Sequence, residues 1–286
     1  MARLDALSIK LENGVTEAEL AEGYGPVIEN VYATAVSVQL KAAGLGNPST
    51  GTVEYKRFGN ASSNAYGTAR AAGAGDDIQS KPVLVSLNID REIIEEVENK
   101  DIKLYGVPSI LGNRARALEA AWKRELDTDF FAEAYAVGTQ KTHTATTWDG
   151  KLEEMAVTLE TLQNSFIDGI DRAMMAFVVT PAVHSALRLI IDELPATDNA
   201  YAKGAVGTYH GVPVWVSNHL PKGVGQVVDA FCMMYGSIAQ PVSVDGYGAE
   251  RIPLSNATAL ELFYSYGTDA LTPETIIYSG NALSAS

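Results

Sequence analysis

Residues 207–221, GTYHGVPVWVSNHLP, combine two short strand-like runs with residues that turn a chain. Gly207 and Gly211 stand on either side of Thr-Tyr-His, and the apolar run that follows ends in Ser-Asn and then Leu-Pro. Glycine allows tight turns and close approach of backbones, whereas Pro221 cannot continue a central strand. The stretch therefore predicts a hairpin-like element that closes in a turn.

Several segments before this element show the apolar periodicity of helices. A helix is predicted to start at Thr16, which is followed by acidic residues in its first turn. The longest pattern covers 109–135, with apolar residues at steps of three and four, and corresponds to a helix of about 40 Å. Further helices are predicted over 151–168 and over 181–194, where Pro181 occupies the favoured first turn.

Strand-like runs alternate with these helices, so the sequence predicts an α+β fold. Between the first two runs, 51–58 and 81–90, lies the segment 59–80. Its residues are mostly small and polar, with several glycines and almost no large apolar side chain. Because loops above about 12–15 residues in compact domains are functional or disordered, this segment is expected to be one or the other. The runs are 51–58, 81–90, 173–180, 226–236, 241–266 and 274–279.

Composition excludes several classes of protein. The chain has 286 residues and a formal net charge of −14, which disfavours binding to nucleic acid through phosphate contacts. The sequence shows neither a basic-then-apolar leader nor an apolar run of the roughly 18 residues that a membrane span needs. The lone Cys232 cannot form an internal disulfide and is interpreted as a small buried apolar residue, so synthesis in a reducing compartment is expected.

Catalytic and cofactor signatures are missing from the sequence. It contains no GxSxG elbow, no phosphate loop, no strand-borne GxGxxG, no CxxC and no HExxH. We therefore assign no catalytic, cofactor-binding or metal-binding residue, and predict no enzyme and no cofactor.

Individual residues could still carry chemistry. Ser217 with Asn218 could supply a nucleophile and an oxyanion donor, but no base stands at a recognisable spacing, and a turn explains the pair. Glu95 and Glu96 are adjacent, so their side chains point apart and form a solvated charged face. The histidines lack the partners of a metal site and are interpreted as ordinary structural residues: His143, His184, His210 and His219.

The hairpin and the order of elements together resemble the major capsid proteins of tailed double-stranded DNA bacteriophages, which have the Hong Kong phage-type capsid fold. The segment VSLNIDREIIEEVENKD before the long helix, FVVTPAVHSAL and the C-terminal GTDALTPETIIY also resemble that family. The matching positions of the hairpin region are Gly204, Gly207, Gly211, Val214, Val216, Ser217, Asn218, Leu220 and Pro221.

The resemblance implies a division of the chain into five parts. These are an N-terminal arm (1–46), an extended hairpin loop (47–90), a peripheral domain (91–149) with its spine helix over 107–136, an axial domain (150–240) and a return to the peripheral domain (241–286). It implies self-assembly into pentamers and hexamers of an icosahedral shell that encloses DNA without reading its sequence. The location implied is the virion, after synthesis in the cytoplasm of a bacterial host.

The same resemblance implies the partners of the chain, and the sequence leaves three alternative functions open. Because arm-like sequence begins close to Met1, we expect a separate scaffolding protein, together with a portal and possible decoration proteins. Some relatives cross-link a lysine of the hairpin arm to a neighbour; Lys56 and Lys81 are the candidates, but no partner asparagine or assisting glutamate can be assigned, so cross-linking is not expected. The alternatives are an encapsulin-like compartment with enzyme cargo, a mixed α/β hydrolase that uses Ser217, and a monomeric binding module.

Overall fold

A computed structural model describes residues 15–44, 51–60, 80–193, 207–223 and 226–282. Three sequence predictions lie outside these residues: the N-terminal arm before residue 15, the far part of the hairpin arm over 61–79, and the match at Gly204.

The described residues form helices and strands in alternation. The helices are α1 (Glu17–Thr34), α2 (Val36–Leu40), α3 (Asn99–Tyr105), α4 (Val107–Val137), α5 (Trp148–Glu160) and α6 (Pro181–Glu193). The first strands are β1 (Thr52–Phe58), β2 (Ser80–Ser86), β3 (Ile89–Glu98), β4 (Thr139–Gln140), β5 (Met175–Val179), β6 (Thr208–Tyr209) and β7 (Val212–Val216). The remaining strands are β8 (Lys222–Gly223), β9 (Gln226–Met234), β10 (Ile238–Ala239), β11 (Val242–Arg251), β12 (Ala257–Tyr266), β13 (Asp269–Ala270) and β14 (Ile276–Ala282).

Helix α1 begins where the sequence predicts. Thr16 accepts a hydrogen bond on its side-chain oxygen from the backbone N–H of Glu19 (3.3 Å), and the Glu19 carboxylate accepts one from the Thr16 N–H (2.8 Å). This reciprocal pair satisfies two backbone donors that have no partner within the helix. The helix then packs along the N-terminal half of α4.

Helix α4 confirms the predicted long amphipathic helix and extends it to 31 residues, or about 46 Å. Asp127 is the one charged residue that this helix buries fully, because its side chain faces the start of α2 and not the solvent. The residues that α4 buries are Val107, Leu111, Leu118, Trp122, Leu126, Asp127, Phe130, Phe131 and Ala134.

A three-stranded antiparallel sheet covers the N-terminal half of α4. Its strand order is β11-β12-β3, and β12 pairs with β3 along its whole length. Trp122 of α4 lies against the ring of Tyr264 from β12, with their centroids 4.7 Å apart. The first core of the subunit therefore lies between α1, α4 and this sheet.

A larger sheet forms the second half of the subunit. Its strand order is β4-β14-β9-β5-β7-β6, and β8 adds to β9. Helices α5 and α6 cover one face, and the C-terminal half of α4 with α2 covers the other. Strand β5 is buried along its whole length, which confirms the central strand predicted over 173–180. Helix α4 thus links both cores.

One expectation about this half is wrong. The helix predicted over 151–168 ends at Glu160, and the chain turns into a loop that is closed by a hydrogen bond from Gly169 N–H to the Leu162 carbonyl (2.8 Å). The terminal strand is β14, which pairs with β4 and with β9 in the larger sheet. Its apolar residues, Ile276 and Ile277, are buried there against opposite faces of that sheet.

The hairpin over 207–221 is confirmed. Strands β6 and β7 pair directly, with Tyr209 opposite Val212, so the turn consists of His210 and Gly211. Both turn residues have positive φ, 50° and 84°, as a two-residue turn that matches the strand twist requires. Gly211 adopts this conformation without steric cost, which explains one of the two glycines of the motif.

Candidate functional site: the hairpin arm and its anchors

The Ser-Asn pair closes strand β7 and shapes the turn after it. Ser217 is buried, its N–H donates to the Val179 carbonyl (3.1 Å), and its Oγ accepts from the His219 N–H (3.1 Å). Asn218 is exposed. The Ser217 hydroxyl oxygen therefore accepts a hydrogen bond within the local turn. Among the described residues, this side chain forms no hydrogen bond with a group that could act as a general base.

The histidines lie at separate places. His210 faces Asp149 (3.1 Å), whereas His143 donates from Nδ1 to Glu154 (3.0 Å). Neither pair includes His219, which follows the C-terminal end of β7. Across the described ranges, no group of three histidine, cysteine, aspartate or glutamate side chains is arranged to hold a metal ion.

The remaining candidates for chemistry, Cys232, Glu95 and Glu96, have the contacts of structural residues. Cys232 is fully buried in β9, and burial raises the pKa of its thiol well above the ordinary value, as expected for an apolar core residue. Glu95 accepts a hydrogen bond from Arg114 (3.1 Å), while Glu96 faces solvent on the other side of β3. In the part of the chain that the structure describes, no helix has the length and apolar character needed to cross a membrane.

Strands β1 and β2 form a hairpin that lies outside the two cores. These strands pair in antiparallel register over seven residue pairs, from Thr52 opposite Ser86 to Phe58 opposite Ser80. At about 3.4 Å per residue, the described part of this arm extends roughly 20 Å. The pairing confirms that the segments before and after 59–80 form one hairpin.

The base of the arm is held by an apolar socket. Val53, Tyr55 and Val85 are almost fully buried and pack against Ala239 of β10. The Leu87 N–H donates to the Gly51 carbonyl (3.0 Å), which closes the base of the hairpin. This socket fixes the position at which the arm leaves the subunit.

The distal end of the described arm is held by polar contacts, which we call the Arg57 clasp: Arg57, Asn60, Asn164, Phe166 and Glu274. The guanidinium of Arg57 pairs with the Glu274 carboxylate and lies 4.4 Å from the centroid of the Phe166 ring. Asn60 donates from its side chain to the Asn164 carbonyl (3.1 Å), and the Asn164 side chain donates to Glu274 (3.1 Å). The clasp therefore joins the arm to the loop after α5 and to the turn before β14.

The electrostatics of the clasp favour the ionised carboxylate. Burial raises the pKa of Glu274, but the hydrogen bond from Arg57 and further donors outweigh that effect, so the pKa lies below its ordinary value. Sequence reasoning did not identify the clasp residues, because nothing in the local pattern joins Arg57 to a glutamate 217 positions further along the chain.

The opposite face of the arm is open. Side chains alternate in direction along a strand, so the residues between the socket and clasp positions point away from the subunit. Phe58 is 57% exposed and Leu84 is 64% exposed on this face. Lys56 also lies here, 3.7 Å from Glu54, while Lys81 is exposed opposite Arg57. Two large apolar side chains on a projecting hairpin are suited to contact another protein surface.

Comparisons with known proteins agree with this architecture at the level of fold. No protein-family model matches the sequence, and no curated protein matches it. Solved structures do match. The structure titled "Mycobacterium phage Che8" is 18% identical, with a TM-score of 0.58, and the alignment covers 86% of this chain and 91% of the phage chain.

Two further structures show the same likeness. "Capsid structure of the Cyanophage P-SCSP1u" is 15% identical, has a TM-score of 0.55, and matches over 84% of each chain. "Crystal structure of virus-like particle from Pyrococcus furiosus" is 10% identical, has a TM-score of 0.55, and matches over 92% of this chain and 96% of the other. The chain therefore has the Hong Kong phage-type capsid fold that its hairpin and element order resemble.

Proposed function

We propose that this chain is the major capsid protein of a tailed bacteriophage, and that it assembles into the pentamers and hexamers of an icosahedral shell around DNA. The observation that carries the proposal is the capsid fold, which extends over most of the chain in structures titled as phages and capsids. A ring-closing assembly of identical subunits needs heterologous interfaces, which a projecting arm can supply.

The open face of the arm supports the same proposal. Phe58 and Leu84 project from a hairpin whose inner face already packs on its own subunit. A neighbouring copy that covered these side chains would bury apolar surface, at about 25 cal/mol per Å². The function of the arm is then to join subunits, and the chain performs no catalysis.

We propose for the chain the division into parts that its resemblance to the capsid family implies. We assign residues 1–46 to the N-terminal arm and 47–90 to the extended hairpin loop. The parts after the arm are the peripheral domain over 91–149 with its spine helix, the axial domain over 150–240, and the return over 241–286. Strand β14 is the exception within the return, since it belongs to the larger sheet.

Partners and location complete the proposal. The subunit binds copies of itself first, and a scaffolding protein and a portal guide assembly, with decoration proteins as possible additions. With a net charge of −14, the chain holds DNA by enclosure more than by direct attraction. The mature protein is located in the virion after synthesis in the bacterial cytoplasm.

Electron microscopy of the purified protein, expressed with and without candidate scaffolding partners, tests the assembly. Closed shells, tubes or ring-shaped capsomers would support the proposal, whereas dispersed monomers under every condition would contradict it. The contents of the shells distinguish a phage capsid from an encapsulin-like compartment, since the first encloses DNA when packaging partners are present and the second encloses a protein cargo.

A variant of the arm tests the proposed interface. Phe58→Glu with Leu84→Glu places two charges on the open face, so the melting temperature should change little while assembly is lost. Deleting 61–79 should also leave the subunit folded and impair assembly, although those residues lie outside the described ranges. Unfolding of the subunit by either change would contradict the assignment of this segment as an assembly arm.

A further inference from the structure

The arm has two anchors of different chemistry on its own subunit. The socket at its base is apolar and packs Val53, Tyr55 and Val85 around Ala239. The Arg57 clasp lies at its distal end, at the second-to-last residue pair of the described hairpin. Because an extended element held at one end can pivot, the second anchor limits the directions in which the arm can project.

The loop that receives the clasp is held by hydrogen bonds among its own residues. The Asn164 side-chain oxygen accepts hydrogen bonds from the N–H groups of Phe166 and Ile167, both at 2.8 Å. The Asn164 N–H donates to the Ile167 carbonyl (2.8 Å), and Gly169 closes the loop with φ of 73°. The Phe166 ring is thereby placed beside the guanidinium, and the Asn164 side chain donates to the Glu274 carboxylate that pairs with it.

The guanidinium itself has lost most of its freedom. The Arg57 side chain is only 15% exposed, whereas its neighbour Lys56, on the open face, is 46% exposed. A planar guanidinium can stack on an aromatic ring and pair with a carboxylate at the same time, which a lysine ammonium does less well. The clasp is therefore directional and depends on arginine.

We propose that the Arg57 clasp sets the direction of the arm before subunits meet, and so sets the angle between neighbouring subunits and the curvature of the shell. The inference rests on the proposed function, because it needs an assembling subunit. The occupant of the open face is a second copy of this chain, and the clasp determines where Phe58 and Leu84 are presented to it.

Hydrogen exchange on unassembled subunits provides the first test. Arg57→Ala and Arg57→Ala with Asn60→Ala should increase exchange of the amides in β1 and β2 at least tenfold, while the socket keeps the subunit folded. The matched control is Lys81→Ala, which removes the exposed cation that pairs across the hairpin with Arg57, outside the clasp and away from the open face, and should leave exchange unchanged. Equal exchange in the clasp variants and the control would overturn the proposal.

Shell diameter, measured by electron microscopy, provides the second test. The clasp variants should give a distribution of diameters at least twice as broad as wild type, or tubes and open sheets, while Lys81→Ala gives wild-type shells. If the clasp variants give wild-type shells, the inference fails and the proposed function stands. If wild type remains a dispersed monomer under every condition, both fail.

A milder substitution keeps the proposal testable if Arg57→Ala does not fold. Arg57→Lys preserves the positive charge beside Glu274 and weakens the stacking on Phe166. It should broaden the distribution of shell diameters by less than the alanine variant. Shells of Arg57→Lys with the wild-type distribution would show that a charge alone is sufficient, and would overturn the role assigned to the stacked guanidinium.

Discussion

The carboxylate of Asp127 accepts a hydrogen bond on Oδ1 from the backbone N–H of Ser37, at 2.9 Å, and both residues are fully buried. Helix α2 starts here without a side-chain cap from its own N-cap residue, Ala35. Asp127 follows Leu126 of the first core and precedes Phe130 of the second. A side chain of the long helix therefore caps α2 at the point where the two cores meet.

Replacing Asp127 by alanine should destabilise the subunit by about 1–3 kcal/mol, because the buried N–H of Ser37 loses its acceptor. Chemical denaturation of the unassembled subunit measures the change. The control is Thr128→Ala at the next, exposed position of α4, which should stay within about 0.5 kcal/mol of wild type. Equal stability of the two variants would exclude a role of the carboxylate in capping α2.

Leu118→Asp should prevent folding. Leu118 is 3% exposed within the first core, so the change removes a packed side chain, at about 2–5 kcal/mol, and adds an unpaired buried charge. The neighbouring Ala117→Asp places the same charge on the exposed side of α4 and should give soluble, folded protein. Recovery of soluble Leu118→Asp protein with a normal melting curve would contradict the orientation of the helix.

The two glycines of the hairpin should respond differently to substitution. Gly211 has a φ of 84°, so Gly211→Ala places an L-residue in the left-handed region, at about 1–2 kcal/mol. Gly207 lies outside that region and a methyl group there meets open space, so Gly207→Ala should be neutral or stabilising by up to about 1 kcal/mol. Thermal melting of the pair measures the contrast. A loss of stability in Gly207→Ala as large as in Gly211→Ala would contradict the turn geometry.

Sequence periodicity predicted the regular elements well because their cores impose a regular spacing. The long helix was expected over 109–135 and ends two residues further on each side. The loop after Glu160 was missed because 161–168 contains apolar residues at helical steps and no proline or glycine before Gly169. Its course depends on contacts within the loop, such as those of Asn164.

Long-range contacts explain the other differences between expectation and structure. A charged residue such as Asp127 would be expected to face solvent on a surface helix. The structure instead places it beside Ser37, 90 positions earlier in the chain. The clasp unites Arg57 with Glu274 in the same way, and no local rule anticipates such a pair. The arm as a hairpin could be predicted from the two strands and the coreless segment between them, whereas its anchors could not.

The carboxylate of Glu154 holds the loop after β4 through several hydrogen bonds. It accepts hydrogen bonds from the Thr144 hydroxyl, the Thr144 N–H (3.2 Å), the Ala145 N–H (3.0 Å) and His143 Nδ1 (3.0 Å). These donors, Thr144 first, outweigh the opposing effect of desolvation and lower the pKa of Glu154 to about 2 from an ordinary value of 4.5.

A depressed pKa in the folded state means that Glu154 stabilises the fold above its unfolded pKa, and that this contribution is lost as the pH falls from 4.5 towards about 2. Glu154→Gln should therefore melt at a lower temperature than wild type at about pH 5, and the difference should shrink steadily towards about pH 3. Glu96→Gln, an exposed carboxylate of β3, is the control and should show no such convergence. Melting temperatures measured across this pH range test the prediction. A difference between wild type and Glu154→Gln that stayed constant with pH would mean that the charge of Glu154 does not stabilise the fold.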